Sequence, residues 1–186
     1  MTAALFPSPG AGFEAPFEML AACHERVERS LTLLERLGEH LQRNGADTQA
    51  RDAARDVMRY FDLAAPHHHE DEERHVLPAL RASGQGDLAD RIAADHRAMS
   101  AAWVLVREDL AAVVQGHASA VIGDVPRARW RDFAALYRAH AALEDASAFP
   151  AAAARLDAAA QRAMGDEMAR RRGVSPASTP TVKPKA

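Results

Sequence analysis

Cysteine is almost missing from this 186-residue chain. Cys23 stands alone, so no disulfide forms within the chain, and a fold that depends on disulfide staples is excluded. One thiol is also too few for a structural zinc site built on thiolates. A dominant charge is missing too: 23 Lys and Arg against 26 Asp and Glu leave a formal charge of -3, with no basic footprint for nucleic acid. No apolar run approaches the ~18 residues of a membrane span. The start, 1-MTAALFPSPGAGF-13, lacks the basic opening and long apolar stretch of a secretion signal. These absences leave a cytoplasmic protein as the expectation, with neither nucleic acid nor membrane as partner.

Apolar residues make up 48% of the chain, enough for a core. Alanine is abundant, and Gly and Pro fall mostly at segment ends, which favours an all-helical fold. Residues 1–13 and 173–186, rich in Pro, Ser, Thr and Gly, are expected to be disordered, leaving 14–172 as one domain. Four long helical patterns are predicted over about Pro16 to Arg43, Thr48 to Leu77, Asp87 to Gln115, and from Asp124 and Pro126 to Phe149. A fifth, Ala-rich segment follows Pro150 and stops at Gly173. The expected architecture is an all-α, up-down-up-down four-helix bundle with an extra C-terminal helix. Pro66 is expected to kink the second helix.

The apolar stripes contain residues that do not belong in a core. Phe17, Leu20, Val27, Leu31, Leu34 and Leu41 mark one face of the first helix, and His24 and Gly38 occupy slots in the same series. His96 sits between Ile92 and Met99 on the third. Trp130, Phe133 and Tyr137 lead into His140 and Glu144 on the fourth, as Val57 and Phe61 lead toward His68 and Glu72 on the second.

These residues repeat. Adding 72 carries His24 to His96, His68 to His140, Glu72 to Glu144 and Pro78 to Pro150. The chain therefore writes His, 43 residues, then His-x3-Glu-x5-Pro twice. His and Glu four apart share one helix face, about one 5.4 Å turn from each other. His24 lies 21 residues before Gly45 and His68 lies 23 after it, so an antiparallel hairpin brings the two histidines level. His96 and His140 likewise flank a connection centred near Ala118. Two packed hairpins then place four imidazoles and two carboxylates in one layer. Burying them unpaired would cost several kcal/mol per charged group, so a metal cation is the expected counterion.

The repeat selects His68 and Glu72 from the crowded 66-PHHHEDEERHVLP-78. His69 with Glu73 forms a rival His-x3-Glu register. His67, His69 and His75 are otherwise expected at the surface or behind the ligands, and Asp71 and Glu73 are expected to point elsewhere. His40, 16 residues from His24 and so about 24 Å along a helix, belongs to the other end of the bundle, and His117 lies in the connection. Cys23 reads as a small packed hydrophobe, and Arg155 with 169-ARRRG-173 reads as a solvated helix end. Imidazole and carboxylate donors in a bundle core suit iron, with manganese or zinc as alternatives. The ferritin-like pattern needs Glu-x-x-His on two helices; 72-EERH-75 supplies one, but Ser147 stands at the matching position after Glu144.

Through 23-CHERV-27, 68-HHEDEERHVLP-78, 95-DHRAM-99 and 140-HAALEDASAFP-150, the chain resembles the hemerythrin-like HHE cation-binding domain family over about residues 14–160. The resemblance implies a four-helix bundle holding two iron ions as an oxo- or hydroxo-bridged di-iron centre. By position it would assign His24 and His140 to one iron, His68 and His96 to the other, and Glu72 and Glu144 as bridges. Two imidazoles, two carboxylate oxygens and one bridging oxygen leave each iron five-coordinate, with room for O2, NO or peroxide. Ser100 stands where oxygen-carrying members have a further histidine, and His-x3-Glu replaces their final His-x4-Asp, so reversible oxygen carriage is not expected. The pattern is similar to the subgroup that includes iron–sulfur-centre repair proteins, without their cysteine-bearing N-terminal domain. The functional expectation is a sensing, detoxifying or repair role. Iron storage or delivery, or a metal-stabilised interaction module using the basic end of the fifth helix, stand as alternatives. None of the six residues is a nucleophile or general acid, so any enzymatic role rests on metal redox chemistry.

Overall fold

A computed structural model of the chain describes residues 12–117 and 123–174. The connection expected near Ala118, and the expected disordered ends apart from residues 12–13 and 173–174, lie outside the described residues. Helix α1 (Pro16–Asn44) opens on a proline, whose missing N–H costs nothing in a first turn, and stops at Gly45, whose φ of 71° suits glycine. Helix α2 spans 48–82 and is capped by Asp47, which accepts the Ala50 N–H at 2.8 Å. Helix α3 is Gly86–Val114, α4 spans 124–155, and α5 is Ala158–Arg171, capped by Asp157 accepting the Ala160 N–H at 2.8 Å. Among the described residues all regular structure is helical, and no helix is long and apolar enough to cross a membrane. Helix α1 packs on α2, α2 on α3, α3 on α4 and α4 on α1, which closes a ring of four.

Two helices are longer than their stripes suggested. The second runs to Ala82 instead of Leu77, and the fourth passes through Pro150 to Arg155 before the chain breaks at Leu156, in an extended conformation. The reason is three π turns, Tyr60–Ala64, Glu72–Val76 and Glu144–Ala148. In each, the amide just after the turn reaches back five residues: Ala65 to Tyr60, Leu77 to Glu72 and Phe149 to Glu144. A proline follows each one, at 66, 78 and 150. A proline inside an α-helix removes a hydrogen bond and presses its ring on the carbonyl four residues back. A wider turn places that defect in a stretch already out of α register, so Pro66 is carried by a π turn within a continuing helix. The buried series Val57, Phe61, Ala65 and then Glu72, Val76, Leu80 consequently advances in steps of four.

Two apolar clusters fill the bundle. One joins Val27, Leu31 and Leu34 to Val57, Phe61, Met99, Val106, Phe133 and Tyr137. The other joins Phe17 and Leu20 to Val76, Leu80, Ile92, Phe149 and Met168. Truncating a fully buried member such as Leu31 to alanine should cost ~2–5 kcal/mol. His24 falls between Leu20 and Val27, and His96 between Ile92 and Met99, so the polar layer is clamped between the clusters. Gly38 does not carry the stripe; its neighbour Leu37 is the buried residue.

Helix α5 buries Met164, Met168 and Ala169. A Cβ at Gly165 would overlap the Phe13 carbonyl oxygen, so this close crossing requires glycine. The basic end of α5 is not a free solvated terminus. Arg171 and Arg172 both bind the fully buried Asp71 of α2, and Arg172 also lies over the Phe13 ring, 5.7 Å from its centroid. Arg171 further holds Glu167, which accepts from His75 at 2.7 Å.

Candidate metal centre

Each of the four bundle helices sends one histidine to the same level, and α2 and α4 each add a glutamate one turn on. All six side chains are buried, and Glu72 and Glu144 have no exposed surface. His68 Nε2 lies 3.0 Å from Glu72 Oε1, and His96 Nε2 lies 3.3 Å from Glu72 Oε2. His140 and His24 place their Nε2 atoms 3.1 and 3.2 Å from Glu144 Oε2. These pairs repeat under the 72-residue offset: His68 to Glu72 becomes His140 to Glu144, and His96 to Glu72 exchanges with His24 to Glu144. The relation is that of a two-fold axis between the hairpins, with each carboxylate meeting one histidine of its own half and one of the other.

Donor atoms of His24, His68, Glu72 and Glu144 lie within 4.8 Å of one another, and so do those of Glu72, His96, His140 and Glu144. These groups differ from the histidine pairing implied by the resemblance, His24 with His140 and His68 with His96. Neighbours within one hairpin pair instead, with ring centroids 5.0 Å apart for His24 and His68 and 4.9 Å for His96 and His140.

Outside this layer lie two carboxylates that the repeat did not single out. Glu73 was expected to point elsewhere; its Oε1 lies 3.0 Å from His96 Nδ1. Asp145 Oδ1 lies 3.0 Å from His24 Nδ1. A carboxylate holding the Nδ1 proton fixes the tautomer and turns the Nε2 lone pair inward. The offset of 72 carries Glu73 to Asp145, so the repeat contained this signal. Asp71 does point elsewhere, into the α5 clamp. His67 is half exposed, His75 bonds Glu167, and His40 lies at the α1–α2 turn, 3.0 Å from Asp47. Cys23 is half-buried, and burial pushes its thiol up, away from the reactive thiolate.

His69 was expected at the surface or behind the ligands, yet it is buried beside the layer. Its ring stacks on His96 with centroids 4.2 Å apart, and one donor atom each of His69, His96 and His140 lies within 4.8 Å of the others. It also lines a cleft of about 430 Å3 with Ser100, Trp103 and Tyr137.

The electrostatics call for a cation. Burial, and next the facing Glu144, push Glu72 well above the usual carboxylate range. Burial also opposes the charge on Glu144, but the imidazoles of His140 and His24 outweigh it and hold this carboxyl low. Burial drives His68 down to about 3 and lowers His96, leaving both rings neutral. Against burial, Glu144 and Asp145 raise His24. Among the described residues, the Nε2 atoms of His24, His68, His69, His96 and His140 and all four oxygens of Glu72 and Glu144 are buried with no hydrogen-bond partner. Buried polar atoms are otherwise almost always bonded. So many orphaned donors, imidazole nitrogens and carboxylate oxygens facing one point, fit a bound cation.

Comparison with known proteins agrees. A protein of Haemophilus influenzae (strain Rd), described as uncharacterized, is 37% identical over 76 residues, which is 41% of this chain and 44% of that relative. The chain thus matches less than half the length of that relative. The family model described as the hemerythrin HHE cation binding domain matches residues 15–152. Both motif copies, the buried histidine–glutamate layer and all but the last three residues of the four-helix ring fall inside that span, and the chain belongs to the hemerythrin HHE cation-binding domain family.

Proposed function

We propose that the protein holds a dinuclear non-heme iron centre and uses it to bind O2, NO or peroxide in a sensing, detoxifying or iron-centre-repair role. The observation that carries this reading is the buried layer of orphaned donors, which forms two overlapping four-residue groups sharing Glu72 and Glu144. His24 and His68 would hold one cation, His96 and His140 the other, and the two carboxylates would span both. Imidazole with carboxylate favours iron; manganese and zinc are the alternatives. Iron bound there would supply one-electron redox chemistry and an electrophilic position for small ligands.

The chain's own residues prepare that position. Glu73 and Asp145 hold Nδ1 protons so that His96 and His24 present their lone pairs, and the apolar clusters on either side exclude bulk water. Any enzymatic turnover would rest on metal redox chemistry, since none of the six side chains is an evident nucleophile. Metal analysis and an absorption spectrum of the iron-loaded, reduced protein, before and after NO and peroxide, test the reading. Two irons per chain and a spectrum altered by NO or peroxide support it. A chain that takes up no iron overturns it. Stable loading that no small ligand perturbs, with iron released to an apo-acceptor, favours storage or delivery instead.

A further inference from the structure

Under the 72-residue offset His69 maps to Ala141. It therefore breaks the two-fold relation of the six-residue layer, on the side of His96 and His140. Its ring lies between those of His96 and Tyr137, 10° from parallel to the first and 22° to the second. His140 stands edge-on to it at 6.0 Å. Its Nε2 is buried without a hydrogen-bond partner, like the Nε2 atoms of His96 and His140 beside it. Consecutive α2 residues thus serve opposite sides of the layer: His68 faces His24 of α1, and His69 faces α3 and α4.

We propose that His69 is a third imidazole donor to the cation held by His96 and His140, so that the two metal positions are chemically unequal. The proposal rests on the metal-centre reading above and adds to it a specific asymmetry. One position then has three imidazoles and two shared carboxylates, the other two imidazoles and the same carboxylates. With His69 committed to a cation, the floor of the cleft beside it is closed. The less coordinated position, beside His24 and His68, is the one left for a small ligand. A purely structural role predicts something different: a stacked ring between His96 and Tyr137 needs shape, not a lone pair.

Cobalt(II) titration of metal-free wild type, His69→Phe and His69→Ala, followed by visible absorption, separates these roles. Phenylalanine keeps a stacked ring and removes the donor. Wild type should take up two equivalents with distinct spectra. In both variants one equivalent should bind at least ~10-fold more weakly with an altered spectrum, while the other is unchanged. Far-ultraviolet circular dichroism and melting of the metal-free proteins check folding, and His69→Gln replaces the Phe variant if the larger ring disrupts it. A His69→Phe titration that matches wild type overturns the proposal and leaves the dinuclear reading standing. No cobalt bound by wild type overturns that reading as well.

Discussion

His24 and Asp145 stand 121 positions apart in the chain and meet across the join between its two halves, Nδ1 to Oδ1 at 3.0 Å. His96 and Glu73 meet at the same distance in the opposite sense. Each half thus holds the outer ring nitrogen of a histidine in the other. The centre is not two half-sites laid side by side, because the orientation of its donors depends on both hairpins being docked.

Loss of a donor should show as loss of metal. His24→Ala, His68→Ala, His96→Ala and His140→Ala should each lower the bound iron by about one equivalent or more, since each removes one of the proposed donors. His40→Ala and His117→Ala should leave it at the wild-type level, because His40 is engaged with Asp47 at the far turn. Elemental analysis after identical loading and desalting decides; full iron in His68→Ala would break the assignment.

The outer carboxylates should matter without being ligands. Glu73→Gln and Asp145→Asn should each weaken metal binding ~10–100-fold. Metal-free stability should change by no more than ~0.5 kcal/mol, since both side chains are about half exposed. Competition with a chelator of known affinity measures the first effect and thermal melting of the metal-free protein the second. Equal affinity in variant and wild type would show that these hydrogen bonds do not orient the imidazoles.

Asp71 should be a stability residue. Asp71→Ala leaves Arg171 and Arg172 facing an empty, buried position, at a cost of ~3 kcal/mol, the lower end for a broken buried pair because both arginines retain some solvent. Melting should fall by ~6–12 °C. Arg155→Ala, on an exposed side chain, should change it by less than ~2 °C. An unchanged melting point in Asp71→Ala would mean that α5 does not depend on the clamp.

The same attachment should fail in acid. Hydrogen bonding from Arg171 first, with His75 adding to it, holds the Glu167 carboxyl down at about 2. Its folded pKa lies below the unfolded value, so its contribution is complete above the ordinary carboxylate range and fades as pH falls through about 2. The melting difference between metal-free wild type and Glu167→Gln should therefore be largest above about pH 5 and vanish near about pH 2. A difference constant across that window would show that Glu167 carries no such linkage.

The six residues of the layer, the helix order and the two-fold offset were all legible. Burying an imidazole in an apolar stripe is costly, and the same cost met twice at one offset marks a shared layer. His69 was not legible. It sits one position from His68, and neighbouring histidines compete for a single register, since an α-helix turns about 100° per residue. Here both are inside, because His68 turns toward α1 and His69 toward α3 and α4. The lengths of α2 and α4 were missed for a related reason. Prolines signal helix ends, and only the wide turns before Pro66, Pro78 and Pro150 let the helices continue. The steps of four along Val57, Phe61 and Ala65, and along Glu72, Val76 and Leu80, were the available trace of that underwinding.

The turn between α2 and α3 is short, with Gly84 at φ 78°, and it is the covalent link between two halves that share one pattern of contacts. If this turn straightened, the first hairpin of one chain could dock on the second hairpin of another, and the reverse, with every histidine–glutamate pair rebuilt. The swapped dimer would carry two complete centres, and its cost relative to two monomers would be the straightened turn together with the freedom lost on joining two chains. The internal two-fold that makes the centre readable from sequence would then also be the relation between the two chains of such a dimer.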